Sequence, residues 1–218
     1  MNRRGAPAPR SRIPASILFA ALTACSVALS WLAHERDRLP GDLWLARRIQ
    51  ELPGTFETPA EVIRAVTTTW VAVLAGIAMV TAFEFMGRRR AWLVTAGMLL
   101  VLPPFQAAIK NLVDRPRPDP SLIEQRATFT SESFPSGHVL GGTVLFLLAA
   151  WLIAGRLPAG WPRVVTWAIA VAACALGGIA NVYEGAHWPS DVLGGYLWAG
   201  VLLVGAWVAV RPVGTGGQ

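Results

Sequence analysis

Long uncharged stretches alternate with short polar segments along almost the whole chain. Six of these stretches hold about the number of residues that a helix needs to cross a bilayer, roughly 17–25. The fourth is the shortest, and it reaches a comfortable length when its start is set at Gly137. The pattern predicts an all-α fold, a bundle of six transmembrane helices. The predicted spans are 14–33, 65–83, 91–109, 139–155, 164–183 and 192–210.

Composition supports the same class of protein. Of the 218 residues, 54% are hydrophobic and 15% are charged, whereas soluble domains carry about a quarter charged residues. Little of the chain is left over for a soluble domain. The sequence therefore predicts a single six-helix membrane domain at 14–210, which follows a basic N-terminal segment at 1–13 and precedes a short tail at 211–218.

Basic residues are distributed unevenly between the two sides of the predicted bundle. When the N-terminus is placed in the cytoplasm, the cytoplasmic segments hold ten arginines and one acid, Glu84, while the outer segments hold nine basic residues and twelve acids. Cytoplasmic loops of membrane proteins are enriched in arginine and lysine. Both termini are therefore predicted to be cytoplasmic. The net charge of +6 then reflects orientation and contact with anionic headgroups, and nucleic-acid binding is not expected.

The first predicted span contains Cys25 within Leu22-Thr23-Ala24-Cys25, which resembles the processing box of bacterial lipoproteins. The apolar run continues to Ala33, beyond the ~7–15 apolar residues of a signal peptide, so a retained helix is favoured. Cys174 lies inside another span. Two cysteines in separate apolar runs predict neither a disulfide framework nor a metal site.

The connection between the first two spans predicts a short amphipathic helix. Leu45, Ile49 and Leu52 recur at helical spacing among charged residues, between two Pro-Gly turns. Such a helix fits the membrane surface, and it equally fits an ordinary loop helix with a polar face.

Two of the three histidines lie where an apolar run meets a polar connection. His187 and Asp191 are four residues apart, so on a helix they share one face and the carboxylate can hold the imidazole from behind. That geometry suits a histidine that acts as a base or a nucleophile. His138 falls in the first turn of the fourth span, where an imidazole beside a bound anion can act as a general acid.

Residues suited to binding an anion flank these histidines. Lys110, the only lysine of the chain, ends the third span, and two prolines fix the backbone around Arg117. An ammonium and a forked guanidinium suit a phosphate dianion, although cations that snorkel from a helix end give the same pattern. Ser136 and Gly137 add a hydroxyl and free N–H groups at the start of the fourth helix.

Together these segments resemble the three-part motif of the type 2 phosphatidic acid phosphatase superfamily, which includes membrane lipid phosphate phosphatases and soluble vanadium-dependent haloperoxidases. The three parts are Lys110-x6-Arg117-Pro118, Pro135-Ser136-Gly137-His138 and His187-x3-Asp191. The resemblance implies that His187 forms a phosphohistidine, that Asp191 orients it and that His138 protonates the leaving alcohol. It implies a phosphate site formed by Lys110, Arg117, Ser136 and the Gly137 amide. It implies no metal and no other cofactor.

The chain departs from the family pattern at one place. The third part of the motif normally begins with Ser-Arg, and Ala180-Asn181 stand there instead. Asn181 offers the phosphate a neutral hydrogen bond in place of a permanent charge. Two outcomes are open: Arg115 or Arg126 substitutes for the missing arginine, or turnover is reduced or lost.

The function that follows is a metal-independent lipid phosphate or lipid pyrophosphate phosphatase of a bacterial cytoplasmic membrane, with an extracytoplasmic site and an outer-leaflet substrate. Undecaprenyl or another polyprenyl pyrophosphate, phosphatidic acid, phosphatidylglycerol phosphate and lipid A phosphate all fit. The alternatives are a non-catalytic lipid-phosphate binder or transporter and a lipid phosphotransferase. A haloperoxidase role is disfavoured because nothing in the sequence indicates a soluble protein. The expected partners are the lipid substrate and the bilayer, and the oligomeric state stays open.

Overall fold

The computed structural model describes residues 14–126 and 131–209, and the predicted segments 1–13 and 211–218 lie outside them. The described residues form α-helices joined by turns and loops, with one 3-10 turn at Gly54–Phe56. The helices are α1 (Ala15–Glu35), α2 (Asp42–Gln50), α3 (Glu57–Val66), α4 (Thr69–Phe85), α5 (Arg89–Val113), α6 (Gly137–Ala154), α7 (Trp161–Tyr183) and α8 (Pro189–Ala209).

Five of the helices described here are long and apolar enough to cross a membrane, and a sixth span results if the bent pair of α3 and α4 is counted as one. The predicted six-span bundle is thereby confirmed, but the second span is not the continuous helix predicted at 65–83. It bends by 54°. The hydroxyls of Thr67 and Thr68 bond to the carbonyls of Ile63 and Ala65, and such side-chain bonds compete with a continuing helix.

The third and fourth spans have different ends from those the hydropathy gave. Helix α5 runs through Pro103 and Pro104 to Val113, and it stops where Asp114 adopts a left-handed conformation with φ 47°. This stop leaves Lys110 in the last turn of the helix. Helix α6 begins at Gly137 and holds 18 residues, which gives the fourth predicted span the length it needs to cross a bilayer.

The main spans pack as a bundle in which α6 contacts α7 and α8, α1 contacts α8, and α4 contacts α5. Helices α5 and α7 end, and α6 and α8 begin, at one end of this bundle, which we call the site end. The backbone N–H of Ser136, just before α6, donates to the Asp191 carbonyl in the first turn of α8 at 3.1 Å. The starts of α6 and α8 are thereby tied together.

The predicted amphipathic helix is present as α2, and it packs on the site end. Ala46 is fully buried in a cluster with Val182 and Trp188, and Ile49 packs against the same cluster. Trp44 on the other face is 65% exposed. Helix α2 is therefore a docked part of the bundle, and its first residue, Asp42, reaches the buried interior.

Candidate active site

His187 lies in the short turn between α7 and α8, and Asp191 follows it in the first turn of α8. The two side chains are buried, and His187 Nδ1 lies 3.7 Å from Asp191 Oδ2, which is longer than a hydrogen bond. The Asp191 carboxylate accepts hydrogen bonds from the Ser133 hydroxyl and, at 2.8 Å, from the Trp188 backbone N–H. These bonds fix the carboxylate near the imidazole, although His187 lies in the turn before α8 and not on the shared helical face that the i,i+4 spacing assumed.

The other ring nitrogen of His187 faces a cation. Its Nε2 lies 3.3 Å from a terminal nitrogen of Arg117. Because an arginine nitrogen is always a donor, Nε2 is the acceptor and carries the lone pair, and the proton of the neutral ring sits on Nδ1, towards Asp191. Burial lowers the pKa of His187 to about 4, against the opposing effect of Asp191, and Arg117 and Lys110 lower it further. At neutral pH the ring thus presents a nucleophilic nitrogen.

Lys110 and Arg117 converge beside this ring. The Lys110 ammonium donates to the Glu132 carbonyl, and Arg117 approaches the same oxygen at 3.5 Å while donating to the carbonyls of Ser131 at 2.8 Å and Ala186 at 2.6 Å. Burial lowers the pKa of Arg117, Asp191 opposes that effect, and Arg64 adds to it. Main-chain carbonyls therefore hold both cations in place at a position where they can also meet an anion.

The start of α6 contributes an open hydrogen-bonding group. Ser136 is fully buried, and its hydroxyl has no hydrogen-bond partner among the described residues. Gly137 packs so closely against the Gln106 amide that a Cβ would collide with it. A buried donor without a partner costs free energy, so a hydroxyl here, next to a helix N-terminus, is suited to receive a ligand.

His138 follows directly. His138 lies in the first turn of α6, two residues after Ser136, whose backbone N–H donates to the Asp191 carbonyl. This start of α6 is thereby tied to the first turn of α8, just after His187. The site end of the bundle therefore holds Lys110, Arg117, His138 and His187, and the roles that the motif implies for them stay predictions.

Asn181 lies near the end of α7, six residues before His187, and is fully buried. Its amide nitrogen donates to the Gly177 carbonyl of its own helix at 2.8 Å. One N–H of the amide is used in this bond, and the predicted role of Asn181 in phosphate binding stays a prediction.

Arg115 does not take the place of the missing arginine. Its side chain is fully buried, and its guanidinium donates to Asp191 and Ser190 through one terminal nitrogen and to Asp42 through the other, the last at 3.0 Å. These contacts make Arg115 a support for the Asp191 carboxylate.

Arg126 is also engaged elsewhere. Its guanidinium carbon lies 3.9 Å from the centre of the Tyr183 ring, and it forms an ion pair with Glu124 at 3.0 Å. Stacking on an aromatic face is a common use of arginine. Both substitutes considered from the sequence are thus bound to other partners.

Sequence reasoning missed several polar residues of this region. Asp42 accepts from the Ser190 backbone N–H and hydroxyl at 2.9 and 2.7 Å, and Arg64 of α3 forms an ion pair with Glu184 at 3.2 Å. The one local signal was for α2 itself, an amphipathic pattern after a Pro-Gly turn. No sequence pattern connects a residue of α2 or α3 to the start of α8.

Comparison with known proteins gives consistent matches. The sequence profile described as PAP2 superfamily matches residues 90–214. Phosphatidylglycerophosphatase B of Bacillus subtilis (strain 168) is 33% identical over 89 residues, 40% of this chain and 42% of that protein. Decaprenylphosphoryl-5-phosphoribose phosphatase of Mycobacterium tuberculosis (strain ATCC 25618 / H37Rv) is 34% identical over 117 residues, 53% of this chain and 59% of that protein. The chain thus matches about half the length of these curated relatives.

A solved structure is similar over nearly the whole chain. It is the crystal structure of the first transmembrane PAP2 type phosphatidylglycerolphosphate phosphatase from Bacillus subtilis, with a TM-score of 0.55 and 25% sequence identity, covering 91% of this chain and 94% of that one. This similarity confirms the predicted all-helical membrane fold.

Proposed function

The chain belongs to the PAP2 superfamily, as its three motifs predicted, and we propose that it is an integral membrane phosphatase that releases phosphate from a lipid phosphate or lipid pyrophosphate by a metal-independent route. The observation that carries the proposal is the placement of His187 Nε2 against Arg117. A neutral imidazole nitrogen beside a fixed guanidinium is positioned to attack a phosphoryl group that the same guanidinium binds.

The proposed reaction has two steps. His187 Nε2 attacks the phosphorus, the P–N bond forms as the P–O bond to the lipid breaks, and His138 gives its proton to the leaving oxygen. Water then attacks the phosphohistidine and passes a proton to His138 as the P–N bond breaks, which releases inorganic phosphate. Asp191 stabilises the positive charge on the His187 ring in between.

A cavity next to the site supports an amphiphilic substrate. It has a volume of about 350 Å³ and lies between α4, α5 and α6. Lys110, Glu132 and Gly137 line one end, and apolar side chains such as Leu148 line the other. Gly137 and Leu148 are eleven residues apart on α6, or about 16 Å of helix. A phosphate at Lys110 would thus leave room for the beginning of an acyl or prenyl chain among the helices.

In this proposal the site end faces the periplasm or cell exterior and both termini lie in the cytoplasm. The arginine-rich connections at the opposite end of the bundle support that orientation. The relatives named above carry the names of lipid phosphate phosphatases, which supports a lipid substrate of the same chemical class.

Phosphate release from the detergent-solubilised full-length protein tests the proposal. With a chelator present, the assay uses phosphatidic acid, phosphatidylglycerol phosphate and undecaprenyl pyrophosphate. We expect release from at least one lipid, and a loss of about 10³-fold or more in His187→Ala, the scale seen when a nucleophile is removed. His34→Ala, at the exposed end of α1, serves as the control histidine variant. No release from any lipid, or full activity in His187→Ala, contradicts the proposal.

A labelled phosphoryl donor separates the hydrolase from the alternative phosphotransferase. The hydrolase transfers the label to inorganic phosphate, whereas a phosphotransferase transfers it to an added lipid alcohol. Vanadate-sensitive turnover excludes the non-catalytic binder.

A further inference from the structure

Helix α3 approaches the site end through small residues. Ala60 of α3 packs in a cluster with Ala180 and Tyr183 of α7. Close to the end of α3, Thr67 lies so near Gly142 of α6 that a Cβ on that glycine would sit 2.6 Å from the threonine methyl. The last turn of α3 is therefore pressed against both α6 and α7.

This contact sets Arg64 at about the same level of the bundle as His138. The chain from α3 into α4 and the helix α6 both run away from the site end. Arg64 is three residues before Thr67, and His138 is four residues before Gly142, so each lies about one helical turn nearer to the site end than the contact itself. Thr67 also lines the same cavity as Lys110 and Gly137, which agrees with this placement.

Glu184 holds the Arg64 guanidinium. The two side chains are 16% and 7% exposed and form an ion pair at 3.2 Å. Glu184 ends α7, three residues before His187. Arg64 is thus tied to the turn that carries His187, at the level of His138.

We infer that Arg64 is the third cation of the phosphate site, and that it supplies from α3 the charge that residue 181 of α7 does not. The inference rests on the proposed function. The transferred phosphoryl group carries charge on three equatorial oxygens, and Lys110 and Arg117 are two of the cations that would face it. Asn181 is neutral and its amide donates to Gly177. A guanidinium from α3, level with His138, completes the set from a different helix.

A purely structural ion pair between Arg64 and Glu184 is the competing explanation, and three variants separate the two. In Arg64→Gln we expect kcat/KM to fall by about 10²–10³, the effect of removing one group that stabilises transition-state charge. Arg64→Lys keeps the charge and recovers part of that loss. Glu184→Gln removes the charge of the ion pair but leaves an amide oxygen that can still accept from Arg64, so we expect it to lower kcat/KM less than Arg64→Gln does while it costs at least as much thermal stability.

Two results overturn the inference. If Glu184→Gln loses as much activity as Arg64→Gln, the ion pair between Arg64 and Glu184 serves to stabilise the structure, and the inference fails. If Arg64→Gln keeps wild-type kcat/KM while its thermal unfolding is normal, Arg64 does not bind the phosphate. A fourth variant combines Asn181→Arg with Arg64→Gln. It introduces a guanidinium at residue 181, three residues before Glu184 and therefore on the same side of the chain. We expect it to restore activity by at least tenfold, and unchanged activity counts against the shared role.

Orthovanadate binding gives a readout that does not depend on turnover. Calorimetric titration of detergent-solubilised protein should show weaker binding in Arg64→Gln than in the wild type or Glu184→Gln. Binding that depends on Arg64 in a protein without phosphatase activity would refute the proposed function and support the assignment of Arg64. If the protein is active but Arg64→Gln leaves its vanadate affinity unchanged, the proposed function stands and the assignment of Arg64 is refuted.

Discussion

The Asp42 carboxylate accepts a hydrogen bond of 2.9 Å from the backbone N–H of Ser190, although the two residues are 148 positions apart. Asp42 also accepts from Arg115, and Arg115 donates in turn to Asp191. A chain of buried charges therefore connects the first residue of α2 to the carboxylate behind His187. In this arrangement α2 sets the position of Asp191.

Asp42→Asn is expected to lower the free energy of unfolding by about 3 kcal/mol, the lower end of the range for breaking a buried ion pair, because Asp191 still partners Arg115. It should also reduce kcat more than it changes KM, since Arg115, which supports Asp191, loses one of its two carboxylate partners. Thermal unfolding and lipid phosphatase assays in detergent measure both effects. Arg48→Gln, which breaks the exposed pair with Glu51, should change stability by less than about 1 kcal/mol, and equal losses in the two variants would rule out the special role of Asp42.

Protonation of His187 should destabilise the fold in acid. Its folded pKa of about 4 lies below the ordinary value of 6.5, so the unfolded chain binds that proton more tightly. This contribution to stability is fully present above pH 6.5 and is lost as the pH falls towards 4, at up to about 1.4 kcal/mol per pH unit. Unfolding measured from pH 7.5 to 4.5 should therefore show a smaller loss in His187→Asn than in the wild type. Identical pH slopes would show that His187 is not kept neutral by the fold.

Gly185 fixes the turn that carries His187. Its φ is +69°, and a Cβ there would collide with the Glu124 carbonyl. Gly185→Ala should therefore displace the loop at 120–126 from the turn and reduce both stability and kcat. Gly87→Ala is the matched control, because Gly87 has a similar φ of +63° with no atom within 4 Å of the added Cβ, so it should cost only about 1–2 kcal/mol of backbone strain. An activity loss that is no larger at 185 than at 87 would contradict this assignment.

A tryptophan in the cavity between α4, α5 and α6 should discriminate substrates by chain length. Ala107 lines that cavity, and Ala107→Trp is expected to exclude part of the lipid tail. Losing the burial of two methylene groups costs about 1.6 kcal/mol, or roughly fifteenfold in KM for a long-chain lipid phosphate. A water-soluble phosphate ester should react as before. Ala168→Trp, on the exposed face of α7, is the control, and a loss that is equal for both substrates would place the tail elsewhere.

Local pattern was enough for most of the fold and for the motif residues. The predicted spans match the helices apart from shifted ends in the third and fourth spans and a bend at Thr67 and Thr68, whose hydroxyls bond to the preceding turn in a stretch that hydropathy shows as continuous. A hydropathy profile does not detect hydrogen bonds between side-chain hydroxyls and backbone carbonyls. It also gave no means of choosing between a membrane-surface helix and a loop helix for α2, because docking depends on a complementary surface formed by α7 and α8.

The sequence by itself determined the membrane class, the spans and the three motif segments. These follow from the sequence because hydropathy and local polar residues are read directly along the chain. The motif segments lie where α5 and α7 end and where α6 and α8 begin. The tertiary structure decided which charges meet: Arg115 with Asp42 and Asp191, and Arg64 with Glu184. Those pairings depend on helix packing at small residues such as Gly142, where side chains from distant segments come within hydrogen-bonding distance, and no periodicity within one segment encodes them.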